Sequence, residues 1–156
     1  MLVWRLCSRR HALTAFTGEG ARRYGGRWNL PGTAVVYTAE SLSLAALELF
    51  VNLDTEDLPD GFVSFVVEIP AGVRVRHLEP NDLPRGWRKY RAPARTQEIG
   101  TAWAKDRETA VLSVPSAVIP DDRLYVLNPS HASFRMIRIG RPEPFALDPR
   151  LVARLR

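Results

Sequence analysis

The chain has one cysteine, Cys7, among 156 residues. That excludes an internal disulfide and any cysteine-based metal site, and it fits a reducing cytosol, so a cytoplasmic protein is expected. His11, His77 and His131 are scattered, and no metal site is expected from them. No apolar stretch approaches the ~20 residues needed to span a bilayer. The start shows no basic-then-apolar leader, so no membrane association is expected. Gly18-Glu19-Gly20 lacks the third glycine of a dinucleotide-binding turn, and no Walker A pattern occurs. Ser116 has no G-x-S-x-G setting, which argues against an esterase-type nucleophile. No repeat, low-complexity tract or linker divides the chain, so one domain over 1–156 is expected.

What is present is ordinary globular composition, 46% apolar and 25% charged, with enough apolar residues for a real core. The net charge is +5, with a pI near 10, and most of the basic side chains are arginine. Arginine's planar fork suits phosphate and carboxylate recognition. It also suits a nucleic-acid surface or an acidic protein partner. The basic residues are spread out, with no run of five or more, which weighs against direct nucleic-acid binding.

Short strands outnumber helices in the pattern. Leu2 to Leu6, Ala34 to Thr38, Phe62 to Ile69, Val73 to Leu78, Ala110 to Val114, Leu124 to Leu127 and Phe134 to Ile139 read as strands. His11 to Tyr24 holds a short helix ending at Gly25-Gly26. Leu58-Pro59-Asp60-Gly61 reads as a turn, and Asn81 to Arg91 as largely loop. Thr96 to Asp106 is helical, with Ile99 and Trp103 on one face. Asp148 to Leu155 forms a terminal helix with Asp148 as N-cap and Pro149 at its first position. The class is α+β with a mixed sheet.

Ser41 to Leu53 is the most informative segment. Nine of its thirteen residues are apolar, which predicts a buried helix capped by Thr38 or Ser41. Glu48 interrupts it. An ionised carboxylate is costly to bury unless something pairs with it or uses it, so Glu48 is a candidate site residue or half of a buried ion pair with Arg5 or Arg27. Arg27 follows two glycines that let the backbone come close to a ligand. Trp28 beside it is packing or a stacking surface. Tyr37 ends the short apolar run Ala34-Val35-Val36. An arginine on a loop, a tyrosine on a strand and a glutamate on a core helix suggest a site for a phosphorylated ligand. Ser116 sits where a strand ends at a turn, able to meet a phosphate or to cap the turn.

Several words occur in order along nearly the whole chain. They are Trp4-Arg5, then Gly26-Arg27-Trp28-Asn29-Leu30-Pro31-Gly32, Val36-Tyr37-Thr38-Ala39-Glu40-Ser41 and Ala45-Ala46-Leu47-Glu48. Thr96-Gln97-Glu98-Ile99-Gly100-x-x-Trp103, Val114-Pro115-Ser116-Ala117-Val118, Asn128-Pro129-Ser130-His131 and Phe145-Ala146-Leu147-Asp148-Pro149-Arg150 follow. This ordered set resembles the RES-domain family, named for an arginine, a glutamate and a serine. The resemblance implies a core like that of ADP-ribosyltransferase toxins, with NAD bound in a cleft between sheets. It implies the toxin of a type II toxin–antitoxin pair that attacks the N-glycosidic bond of NAD, by hydrolysis or phosphorolysis or by ADP-ribosylating a protein. The implied partner is a helix-turn-helix (Xre-type) antitoxin that covers the active site, through which DNA is reached. By this match Arg27, Glu48 and Ser116 are the name-giving residues. Glu48, Arg27 and Tyr37 are the expected catalytic residues, and Arg5, Arg27, Tyr37, Ser116 and Asn128 are expected to hold NAD. The residues alone leave open a non-enzymatic nucleotide- or nucleic-acid-binding module.

Overall fold

The computed structural model describes residues 1–53 and 61–153. Eight strands run in the order β4-β5-β6-β2-β1-β3-β7, with β8 also paired to β3. They are β1 (Leu2–Ser8), β2 (Val36–Ala39), β3 (Phe62–Glu68), β4 (Val75–His77), β5 (Val111–Pro115), β6 (Arg123–Leu127), β7 (Arg138–Ile139) and β8 (Glu143–Phe145). All neighbours are antiparallel except β4 and β5. The mixed sheet of an α+β protein is therefore present.

Period-two burial covers both faces, as strands with apolar residues on each side require. Leu6, Ala39, Leu112, Val114, Leu124 and Val126 pack with Leu44, Ala45, Trp28 and Trp103 on one face. Val3, Val36, Val63, Phe65, Val67, Val111 and Leu127 form the core of the other, against Ala15, Phe16 and Ile137. The first face carries α2 (Leu42–Phe50), together with Trp103 and Ala104 of α3 (Ala94–Asp106). Two shorter helices, α1 (Glu19–Tyr24) and α4 (Pro149–Ala153), complete the α-helices among the described residues.

The sheet has a weak seam. β1 runs seven register pairs along β3, from Leu2–Glu68 to Ser8–Phe62, but meets β2 at Trp4–Ala39 alone. One half-sheet, β4-β5-β6-β2, thus joins the other, β1-β3-β7 with β8, through a single pair. Backbone groups beside such a split must find other partners. Arg5 supplies one, donating from Nη1 to the Tyr37 carbonyl at 2.8 Å.

The structure corrects four expectations. The stretch around Phe134–Ile139 is mainly a 3₁₀ turn, Ala132–Met136, followed by the two-residue β7. Its imperfect alternation reflects that turn. β4 is shorter than Val73 to Leu78, and β8 was not anticipated; edge strands this short carry almost no periodic signal. α2 is capped by Ser41, whose Oγ accepts the Leu44 N–H at 3.1 Å, but it is not buried all round. Leu44 and Ala45 are buried, while Leu47 and Val51 are exposed. The terminal helix begins as expected, with the Arg150 N–H on Asp148 Oδ1 at 2.8 Å. The turn at 58–60 and residues 154–155 lie outside the described residues. No helix among those described is long and apolar enough to cross a membrane.

Candidate active site

A cleft of about 810 Å³ opens at the seam. Its walls come from β1, β2, α2, the loop 24–28 and the segment 88–92, and Gln97 of α3 also lines it. Arg5, Arg27, Tyr37 and Glu48, drawn from four separate elements, share this cleft.

The Arg27 loop is built on α3. Gly25 ends α1 with φ of 73°, a conformation that favours glycine. A Cβ on Gly26 would lie 2.5 Å from the Tyr37 hydroxyl oxygen, so the tyrosine can reach the loop only because residue 26 is glycine. The Tyr37 hydroxyl donates to Asn29 Oδ1 at 2.7 Å and accepts the Trp28 N–H at 3.0 Å. Asn29 is fully buried and donates to the carbonyls of Ala21, Leu30 and Thr33. From α3, Gln97 Nε2 donates to the Gly26 carbonyl at 2.9 Å, and Thr101 Oγ1 accepts the Leu30 N–H at 2.8 Å. A Cβ on Gly100 would collide with the Trp28 carbonyl, so α3 and the loop approach closely only at that glycine. Trp28 is buried and tilts against Trp87, with ring centroids 6.3 Å apart; it is a packing residue.

Burial raises the Tyr37 pKa far above its ordinary value, and the Trp28 N–H bond and the nearby Arg27 charge only partly offset this. The phenol stays protonated, with its hydroxyl engaged inside the protein. Tyr37 lines the cleft while its hydroxyl is held by Asn29 and the Trp28 N–H.

Arg27 Nη1 donates to the carbonyls of Trp87 at 2.6 Å and Lys89 at 3.2 Å. This ties segment 87–89 to the cleft and leaves the rest of the fork without a protein acceptor among the described residues. Arg5 lines the cleft and also a smaller cavity of about 320 Å³. Its Nε is buried without a partner, and its guanidinium carbon lies 5.9 Å from the Phe16 ring centroid. Burial lowers the pKa of both arginines, although an arginine stays charged at any ordinary pH.

Among the described residues Glu48 is the sole carboxylate lining the cleft, which Arg5, Arg27, Arg88 and Arg91 also line. Among the described residues none of these four arginines forms an ion pair; the observed pairs lie elsewhere. Ser116 Oγ donates to Glu48 Oε1 at 2.6 Å and accepts the N–H groups of Val118 and Ile119, each at 3.0 Å. One donor and two acceptor sites are all a hydroxyl has. Burial raises the Glu48 pKa, while the Ser116 hydrogen bond and the Arg27 charge draw it back down.

Two expected binding residues sit elsewhere. Ser116 is fully buried and reaches the cleft only through Glu48, because the Val118 and Ile119 amides hold its hydroxyl inward. Asn128 does not line the cleft. Its Nδ2 donates to the Ala104 carbonyl at 2.8 Å and its Oδ1 accepts the Ser130 N–H at 3.0 Å, which joins the end of β6 to α3. Asn29, Gln97, Arg88 and Arg91 were not singled out from sequence. The first two stood inside motif words as polar residues with no assigned task. The two arginines carried no signal beyond composition.

Comparison with known proteins adds a family to this geometry. The family profile described as "RES domain" matches residues 2–148. A protein named "Toxin Res" from Yersinia enterocolitica is 40% identical over 152 residues, covering 97% of this chain and 99% of the relative. A protein named "Prs ADP-ribosylating toxin" from a Sphingobium strain is 33% identical, covering 96% of this chain and 95% of the relative. The crystal structure of the M. tuberculosis MbcT–MbcA toxin-antitoxin complex contains a chain similar in fold, with a TM-score of 0.75 at 19% identity. The match covers 99% of this chain and 88% of that one.

Proposed function

This chain belongs to the RES-domain family, and from that membership and the cleft we propose that it is the toxin of a toxin–antitoxin pair that consumes NAD. One observation carries the reading: among the described residues a single, partly desolvated carboxylate, Glu48, fixed by Ser116, shares the cleft with four arginines that have no ion-pair partner there. Pyrophosphate is the ligand such arginines lack, and a carboxylate is what a developing cation needs.

In this reading the free edges of Arg27 and Arg5 hold the pyrophosphate, and the Tyr37 ring packs against nicotinamide. The bond between ribose C1′ and the nicotinamide nitrogen breaks, and its electron pair leaves with neutral nicotinamide. Positive charge grows on the ribose, as in glycoside chemistry, and Glu48 stabilises it. The acceptor oxygen, of water or phosphate, then bonds to C1′, and in the hydrolytic case its proton passes to Glu48 or solvent. The partner is an antitoxin that closes the cleft, an assembly of the kind named for the structural neighbour. One relative's name favours a second acceptor, a protein side chain.

The test is incubation of the purified protein with NAD, with and without phosphate, followed by chromatography of the products. ADP-ribose, or ADP-ribose phosphate where phosphate is present, is expected with free nicotinamide. Label transferred from NAD to a protein, without either product, would replace hydrolysis and phosphorolysis with ADP-ribosylation. No nicotinamide release under any condition would leave a binding module.

A further inference from the structure

Gln97, on the first turn of α3, is half-buried and lines the cleft. Its Nε2 donates to the Gly26 carbonyl at 2.9 Å and lies 3.5 Å from the Asn29 carbonyl. Those residues are the two ends of the turn that carries Arg27, closed by the Gly26 N–H on the Asn29 carbonyl at 2.9 Å. Carbonyl oxygens only accept, so these contacts fix which end of the Gln97 amide is nitrogen. Oε1 is left over, and among the described residues it receives no hydrogen bond. The arginines of the cleft can only donate. Gln97 adds a neutral acceptor beside them.

Pyrophosphate has no hydrogen to give such an acceptor at neutral pH. The donors of NAD are its ribose hydroxyls, the adenine amine and the nicotinamide carboxamide. Position selects among them. Gly26 meets Gln97 through its carbonyl, and a Cβ on the same glycine would lie 2.5 Å from the Tyr37 hydroxyl oxygen. Gln97 and Tyr37 therefore flank one residue, and the Tyr37 ring is the nicotinamide wall of the reading above.

We propose that Gln97 is the specificity residue for the leaving group, its Oε1 accepting a hydrogen bond from the carboxamide N–H of nicotinamide. The inference rests on the NAD reading and adds to it how the cleft tells nicotinamide from other pyridines. The role lies in binding. The pyridinium charge of NAD draws electrons from the carboxamide and strengthens its N–H as a donor. That charge is gone once neutral nicotinamide leaves, so the bond holds substrate more firmly than product. Its loss belongs in KM rather than kcat.

The experiment compares NAD with its acetylpyridine analogue, in which a methyl group replaces the carboxamide nitrogen, on wild type, Gln97→Met and Thr101→Val. Thr101 Oγ1 accepts the Leu30 N–H at 2.8 Å, so it braces the same loop, but it does not line the cleft. Wild type should favour NAD over the analogue at least ~10-fold in kcat/KM, because a site built to accept an N–H rejects a ligand without one. Gln97→Met should shrink that preference at least ~5-fold, mainly through the KM for NAD. Thr101→Val should slow both dinucleotides alike and leave the preference at its wild-type value. The ratio is measured within each protein, so a loss of folded material cancels from it. Equal losses on both dinucleotides in Gln97→Met would overturn the proposal and leave Gln97 a brace for the turn or a partner of ribose. A preference that falls as far in Thr101→Val would overturn it too, assigning discrimination to the loop. Failure of wild type to cleave NAD would sink the enzymatic reading separately. The proposal would then be decided by the same comparison of dissociation constants in calorimetry, and absence of NAD binding would overturn both.

Discussion

Two arginine sites, one inside the β4-β5-β6-β2 half-sheet and one at its seam with β1, look alike in sequence and differ in what they leave undone. At the start of β6, Arg123 donates from Nε to Ser113 Oγ at 2.7 Å, and from Nη2 to the carbonyls of Leu78 and Ser113. Its Nη1 meets Glu79. All three nitrogens are engaged, and the residue staples the chain after β4 to β5 and β6. At the seam, Arg5 and Arg27 each engage one nitrogen, with backbone carbonyls only. Buried polar groups are nearly always satisfied. A saturated arginine is a strut; under the proposed function, an arginine with spare donors on a cavity wall is an anion site.

The largest expected effect is at Glu48. Under the proposed function, Glu48→Gln should lower NAD cleavage at least ~100-fold while keeping shape and hydrogen-bonding reach. The stability sign is opposite. Burial holds the Glu48 pKa above its unfolded value. The folded state therefore gains stability from this proton below the ordinary glutamate pKa and loses it as pH rises through the raised one. At neutral pH Glu48→Gln should melt at the same temperature or higher. A stable variant that turns over normally would remove the contrast between strut and site.

Next in size is the strut. Arg123→Met should cost about 2 kcal/mol in denaturant unfolding, from its lost bonds to Ser113 and the carbonyls. The exposed Glu79 contact should add little. KM and kcat per folded molecule should stay at wild-type values, and a changed KM would blur the comparison.

Ser116→Ala should lower kcat about tenfold with KM little changed, since one hydrogen bond to a charged group is lost. That bond holds the Glu48 pKa down, so its removal should move the acid limb of the rate profile to higher pH. A Ser116 that only capped its turn would leave that limb in place. Arg27→Lys should have the smallest effect, weakening NAD affinity about threefold to tenfold because lysine lacks the planar fork. Calorimetry that finds unchanged affinity would move Arg27 to the struts.

Much of the fold could be read along the chain because it is locally encoded. Val63, Phe65 and Val67 are buried and alternate with the more exposed Ser64, Val66 and Glu68 along β3. Ser41 caps α2 from its own side chain, and Asp148 does the same for α4. β7 and β8 were missed or blurred because two or three residues hold no period. α2 misled for a different reason. Apolar residues announce that surface will be covered, without saying whether the cover is the chain's own core.

The site divides in the same way. Residue type and order were enough to single out Arg27, Tyr37 and Glu48, which line one cleft, and to identify the family, since chemistry and spacing are written in the chain itself. Only the tertiary structure decided that Ser116, 68 residues from Glu48, has the carboxylate as its partner rather than a ligand. It also decided that Asn128 braces α3, that Asn29 and Gln97 hold the arginine loop, and that the two half-sheets join at Trp4–Ala39 alone. The physical reason is range. Helical and strand periodicity record burial within a few residues, whereas a hydrogen bond's partner is set by which distant atoms packing brings within about 3 Å.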